Sequence, residues 1–114
     1  MDEQVESWQN KIRALAPLIS KAEYAVLKGE ADVKKLQAQL ELTATARGVK
    51  TVSAQKTYAD NDDSLYQARL KVGVAKGQLS ALKIELKSLD VGFEEWRTKM
   101  VNAREERKRY DTKL

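Results

Sequence analysis

The chain has 114 residues with one Pro, five Gly, no Cys and no His, and charged residues make up 33% of it. The absence of Cys excludes a disulfide scaffold and thiolate metal sites. The absence of His removes the commonest general base and the commonest metal ligand, so we expect neither catalysis nor a cofactor. No apolar run approaches the roughly 20 residues that span a bilayer. The acidic N-terminal stretch with Asp2, Glu3 and Glu6 is unlike a targeting peptide, so we expect a cytoplasmic protein that is not in a membrane.

A heptad pattern predicts one long helix, the first arm, over about residues 3–47. Alternating steps of three and four residues meet apolar side chains at ten of eleven positions, which indicates a coiled-coil seam. Pro17 lies off this seam and predicts a kink or a helix boundary near Ala16, because proline removes a backbone hydrogen bond. The seam positions are Val5, Trp8, Ile12, Leu15, Ile19, Ala22, Val26, Gly29, Val33, Leu36 and Leu40.

A second arm over about residues 63–110 repeats the pattern. Asp62, Asp63 and Ser64 precede it, and any of the three could cap its first turn. All twelve seam positions are apolar. They are Leu65, Ala68, Val72, Ala75, Leu79, Leu82, Leu86, Leu89, Phe93, Trp96, Met100 and Ala103.

Two heptad helices joined by a short connector most simply form an antiparallel hairpin. We therefore predict an all-α fold in which residues 1–114 form one long two-helix coiled-coil hairpin. Pairing the arms from the connector outward puts Leu40 near Val72 and Trp8 near Met100.

The second arm carries an additional apolar stripe on the side opposite its seam. Because one hairpin cannot bury two opposite faces of a helix, this stripe predicts a homo-oligomer. Gly73 and Gly77 each lower helix propensity by about 1 kcal/mol relative to Ala, which indicates either a close helix–helix approach or a locally weak helix. The stripe comprises Leu70, Val74, Gly77, Ala81, Ile84, Ser88 and Val91. A weaker outer stripe on the first arm could supply the matching surface, through Tyr24, Leu27, Ala31, Ala38 and Leu42.

The connector, residues 48–62, is predicted to contain a loop, a short helix and a turn. Thr51 or Ser53 could cap the short helix. Asp60 and Asn61 would end it before the second arm begins.

The connector region is a candidate nucleic-acid site. Residues 43–59 contain no acidic side chain but include Arg47, Lys50 and Lys56, together with several Thr and Ser hydroxyls. Lys and Arg presented with hydroxyl groups suit phosphate contacts, and Tyr58 could stack a base. The alternative is a loop whose charges are simply solvated.

The basic tail, residues 104–110, is a second candidate. It contains Arg104, Arg107, Lys108 and Arg109, which would attract nucleic-acid phosphates. The alternative is a solvated helix end whose basic residues suit the C-terminal dipole.

This layout resembles the small helical proteins encoded beside single-strand annealing proteins in phage recombination operons, and more distantly the recombination mediator UvsY. The resemblance implies an oligomer in the form of a ring that binds single-stranded DNA. It also implies a recombinase, annealing protein or single-strand binding protein as partner, in the host bacterial cytoplasm. The stretches that carry the resemblance are KKLQAQLELTATARG (34–48), TVSAQKTYADND (51–62), SLYQARLKVGVAKGQLSALKIELKSL (64–89) and FEEWRT (93–98).

One position in this resemblance departs from the mediator. Its basic Lys-x-Arg pair near the end of the first arm falls on Gln37 and Gln39 here. Arg47, Lys50 and Lys56 would then have to supply the DNA contact.

A protein from another class fits the same pattern. It would be a coiled-coil interaction module, such as a small phage inhibitor of a host defence complex, whose basic residues are solubilising or meet an acidic partner. Binding to an oligonucleotide near physiological salt would discriminate the two. A membrane-surface helix is disfavoured, because the apolar stripes are narrow seams rather than one broad face.

Overall fold

The computed structural model describes residues 3–112, so Asp2 lies outside the described residues. It contains three α-helices: α1 Glu3–Ala46, α2 Val52–Asp60 and α3 Asp63–Thr112. α1 and α3 pack against each other with the short α2 between them in the chain, so the predicted helical hairpin is confirmed. The predicted ends of both arms agree with α1 and α3 to within two residues.

The chain divides into two compact units. Unit 1 consists of the described parts of Met1–Leu18 and Leu82–Leu114, and unit 2 is Ile19–Ala81. Each unit therefore holds a stretch of α1 and a stretch of α3, and unit 2 also holds α2.

The predicted seam positions are the residues that the hairpin covers. All eleven in α1 are buried or half-buried, and so are the ten in α3 from Leu65 to Trp96. Met100 and Ala103 are exposed, so their assignment to the seam is wrong. In unit 1 the Trp8 ring lies against Gly92. Counting from that contact, α3 after Arg97 runs past the described part of α1, which begins at Glu3.

Pro17 does not end α1, which continues through it as one helix. The predicted helix boundary near Ala16 is therefore wrong. Pro17 is exposed, so the carbonyl left without an N–H partner can be hydrated, and this lowers the cost of proline in a helix interior.

The predicted register of the hairpin is wrong as well. A Cβ built on Gly29 would lie 3.0 Å from Val72 Cγ2, so Val72 packs on Gly29 and not near Leu40. Leu40 is eleven residues further along α1, about 16 Å away in a helix. Trp8 likewise packs on Gly92 instead of Met100. In both units a large side chain of one arm sits on a glycine of the other.

The register differs because the chain reverses before α2 and not after it. Gln55 Nε2 donates to the Val49 carbonyl over 3.0 Å, and the Arg47 guanidinium carbon lies 5.8 Å from the Tyr58 ring centroid. These contacts bring α2 back against the end of α1. The start of α3 is therefore displaced along α1, away from its C-terminal end.

The deepest burial in unit 2 lies close to this reversal. Ala44, Ala59 and Leu65 have no exposed surface, and they come from α1, α2 and α3 respectively. Leu65 is the largest fully buried side chain among the described residues. The three residues mark the junction that holds the connector on the arms.

Candidate nucleic-acid interface

The turn that follows α1 is fixed by its own hydrogen bonds. The Gly48 N–H donates to the Thr45 carbonyl over 3.1 Å, and the Val49 N–H donates to the Ala44 carbonyl over 3.0 Å. These two bonds form a Schellman motif, which ends a helix at a residue with positive φ. Gly48 has φ 91°, a conformation that glycine adopts without steric cost. The sequence Arg-Gly thus ends α1 and leaves Arg47 at a defined position.

The start of α2 is fixed by Thr51. Its hydroxyl oxygen accepts from the Ala54 N–H over 3.1 Å, which satisfies a backbone donor of the first turn. Thr51, rather than Ser53, is therefore the cap. The loop carrying Lys50 is closed from the other side by the bond from Gln55 to the Val49 carbonyl.

Two carboxylates at the end of the connector have partners inside the protein. The Asp62 Oδ1 atom accepts from the Leu65 N–H over 3.2 Å, so Asp62 caps α3 and the other predicted caps are wrong. Asp60 forms a 2.9 Å ion pair with Arg69. The nearest negative charge after residues 43–59 is thus balanced by a guanidinium that the sequence pattern did not single out.

The basic side chains of the connector region face solvent. Arg47, Lys50 and Lys56 are all exposed, and none of them takes part in the ion pairs formed among residues 3–112. Because residues 43–59 hold no carboxylate, the potential around these three cations is not reduced by a neighbour in the same segment. A cluster of exposed cations of this kind attracts the negatively charged phosphate backbone of a nucleic acid.

Arg47 and Tyr58 form a contact that no linear pattern of residues predicts. The guanidinium carbon of Arg47 lies 5.8 Å from the centroid of the half-buried Tyr58 ring, within the range of a cation–π interaction. The ring restricts where the guanidinium can point. One approach to the Tyr58 ring is therefore already taken by Arg47, and its predicted stacking on a base would have to use another part of the ring.

The hydroxyl groups near the connector serve the backbone for the most part. Thr43, Thr45 and Thr57 each donate to the carbonyl four residues earlier in their own helix, and Thr51 accepts as the helix cap. The expectation that these hydroxyls help bind phosphate is therefore not supported by their hydrogen bonds. Phosphate contact at this site would depend on Arg47, Lys50 and Lys56.

The basic tail is a helical part of unit 1. Arg104, Arg107, Lys108 and Arg109 are exposed on the last turns of α3. Spacings of three and four residues place the first three on one side of the helix, whereas Arg109 lies roughly 100° from Lys108. The tail thus presents a basic side that alternates with Glu105 and Glu106.

The residues predicted to form the oligomer interface lie on exposed surface. In unit 2 they are Leu70, Val74, Gly77 and Ala81, and in unit 1 they are Ile84 and Val91. The outer stripe of α1 in unit 2 is exposed too, through Tyr24, Leu27, Ala31, Ala38 and Leu42. Within residues 3–112, no other part of the chain buries these apolar side chains.

Residues 3–112 contain no group of three or more acidic residues placed to hold a metal ion. None of their helices combines the length and the apolar character needed to cross a membrane.

Comparison with known proteins yields no relative. No protein-family model matches the chain, and neither the curated proteins nor the solved structures give a match.

Proposed function

We propose that this protein is a non-enzymatic accessory factor of phage-type DNA recombination, an oligomer that binds single-stranded DNA through its connector. The observation that carries the proposal is the cation cluster at the chain reversal. Arg47, Lys50 and Lys56 are exposed on a segment without carboxylates, and the adjoining Asp60 is paired with Arg69.

The local structure supports binding by reducing the cost of ordering these side chains. The Schellman turn at Gly48, the Thr51 cap and the bond from Gln55 fix the backbone that carries them. Contact with Tyr58 restricts Arg47 further. A surface that is already ordered loses less conformational entropy when it binds.

The mode of binding follows from the chemistry of the cluster. The amide of Gln55, which lies between Lys50 and Lys56 in the sequence, donates to the Val49 carbonyl. The three cations favour phosphate contacts, which do not depend on sequence. Repetition of the cluster in an oligomer would add contacts along one strand and raise the avidity. Such a protein would hold a strand for a recombinase, an annealing protein or a single-strand binding protein.

The test is a salt titration of oligonucleotide binding. We expect the triple variant Arg47→Ala, Lys50→Ala and Lys56→Ala to lose affinity for labelled oligo(dT) in fluorescence anisotropy. The plot of log K against log[salt] has a negative slope. Removing three phosphate contacts should make this slope less steep by about 2 per bound subunit.

A matched control separates the site from net charge. The triple variant Arg13→Ala, Lys21→Ala and Lys83→Ala also removes one Arg and two Lys, all of them exposed. We expect it to retain most of the affinity and the slope. Equal losses in the two variants would show that the connector is not the binding site. No binding by the unchanged protein near physiological salt would instead favour the protein-interaction module, for which the exposed apolar stripes are the supporting observation.

A further inference from the structure

Gly73 and Gly77 on α3 are open glycines, which means that no other atom lies close to where a Cβ would be. They differ in this from the glycines against which a side chain of the other arm packs. A Cβ on Gly29 would meet Val72 at 3.0 Å, whereas a Cβ on Gly73 or Gly77 would meet nothing within 4 Å. Packing within one chain therefore does not account for glycine at positions 73 and 77. They lie beside exposed Val74 on the outer side of α3.

The apolar side chains available to cover this surface lie on the opposite side of the same unit. Tyr24 and Leu27 of α1 are 65% and 67% exposed, and Leu70 and Val74 of α3 are 47% and 62% exposed. Because these two outer surfaces point away from each other, one copy cannot bring them together. Two copies placed side by side can do so, with α3 of one against α1 of the next.

We propose that the protein assembles head to tail through unit 2, with Tyr24 of one copy seated on Gly77 of its neighbour. The proposal deepens the proposed function, since it rests on the oligomer assumed there, and it names the second copy as the occupant of the exposed stripes. A contact between two different surfaces of identical chains continues from copy to copy, and it closes into a ring when the copies are related by rotation alone.

The in-chain register determines which residues meet. Rotation about an axis parallel to the helices does not change the position of any residue along that axis, which we call its height. Two residues at the same height, or level, within one hairpin are therefore also level when they belong to neighbouring copies. Gly29 is level with Val72. In antiparallel helices, moving five residues toward the start of α1 and five toward the end of α3 makes Tyr24 level with Gly77. The same count makes Leu27 level with Val74.

The register therefore places the largest outer side chain of α1 at an open glycine. It also pairs Ala31 with Leu70, so that a small residue again faces a larger one. The hairpin uses this arrangement in its own seam, where Val72 lies on Gly29 and Trp8 on Gly92.

Charges on the flanks are complementary at the same heights. α3 carries Arg69 and Lys71, and no acidic residue occurs between positions 64 and 84. α1 carries Glu30 and Asp32, which the same count places level with Lys71 and Arg69. Within one chain Glu30 already pairs with Lys76, Asp32 with Lys28 and Arg69 with Asp60. These pairs are exposed and therefore weak, so Lys71, which lies in none of them, adds a positive charge level with Glu30, and opposite charges at a rim favour one orientation of docking.

The direct test mixes two variants that each damage one surface. Leu27→Glu damages the α1 surface and Val74→Glu damages the α3 surface, and both positions are exposed, so the hairpin itself does not need them. Each variant alone should sediment as a single 12.9 kDa chain, because one half of every contact is lost. Their mixture should form dimers and stop there, since one intact α3 surface meets one intact α1 surface.

Other outcomes would overturn the inference. If Val74→Glu dissociates the assembly and Leu27→Glu does not, α3 pairs with α3 and the head-to-tail arrangement is wrong. A monomeric unchanged protein would remove the oligomer from the proposed function as well. Gln78→Glu, an exposed neighbour off the stripe, is the control and should leave the mass unchanged.

Disulfide trapping tests the register, because the chain contains no Cys. A mixture of Tyr24→Cys and Gly77→Cys chains should give covalent dimers on oxidation, since a disulfide needs Cα atoms about 4.4–6.8 Å apart. Tyr24→Cys mixed with Leu70→Cys should not, because Leu70 lies seven residues away, about 10 Å along α3. The reverse result would overturn the Tyr24–Gly77 contact. If the covalent dimers form but do not bind the oligonucleotide, the proposed function is wrong and the head-to-tail contact stands.

Discussion

Replacement of Leu65 by Ala should destabilise the junction of the three helices in unit 2. Leu65 has 0% exposure, so the substitution removes three buried carbons, which contribute about 2.4 kcal/mol at about 0.8 kcal/mol each. The cavity left behind raises the expected loss to about 3–4 kcal/mol. This is a large fraction of the stability of a small domain, about 5–15 kcal/mol.

The assay is urea unfolding followed by circular dichroism, with all variants at one protein concentration, because assembly makes stability depend on concentration. Leu18→Ala is the matched control, since Leu18 is 50% exposed and should lose about 1 kcal/mol or less. If the two variants unfold at the same urea concentration, Leu65 does not hold the junction and the inferred packing of α2 is wrong.

Two further predictions concern contacts that determine the register and the cation cluster. Gly92→Ala would place a Cβ 2.7 Å from Trp8 Cη2. We expect this variant to be less stable, because overpacking of about 1–3 kcal/mol outweighs a gain in helix propensity of about 1 kcal/mol. A higher melting temperature than that of the unchanged protein would contradict this. Arg47→Lys keeps the charge but loses the planar group over Tyr58, so oligo(dT) affinity should fall, whereas Lys50→Arg should not lower it. Equal affinities of the Arg47→Lys variant and the unchanged protein would show that the Tyr58 contact does not position the cation.

The faces of the helices could be predicted from the sequence, but their register could not. Spacing of three and four residues determines which side of a helix is apolar, and every seam position from Leu65 to Trp96 is covered as expected. A heptad pattern looks the same after a shift along the helix axis, so it did not distinguish Leu40 from Gly29 as the neighbour of Val72. The fit of large side chains on Gly29 and Gly92 selects the observed alignment.

The position of the candidate site could be predicted from the composition of the chain, but the contacts within the site could not. The lack of carboxylates between residues 43 and 59 identified Arg47, Lys50 and Lys56. Nothing in a linear pattern relates Arg47 to Tyr58 or Asp60 to Arg69, because those contacts depend on how α2 folds back on α1. The use of Thr hydroxyls as backbone partners follows from the helix geometry around them, which a count of hydroxyl residues in a segment does not show.

The chain reversal at Gly48 also has a consequence for the order in which the protein folds. Arg47 and Tyr58 are 11 residues apart in sequence, Gly29 and Val72 are 43 apart, and Trp8 and Gly92 are 84 apart. The entropy lost on closing a loop grows with its length, so we expect contacts around α2 to form first and pairing of the arms to spread outward from there. The surface proposed to hold DNA would then also be the nucleus from which the hairpin closes, and substitutions there that disturb the backbone would slow folding as well as weaken binding.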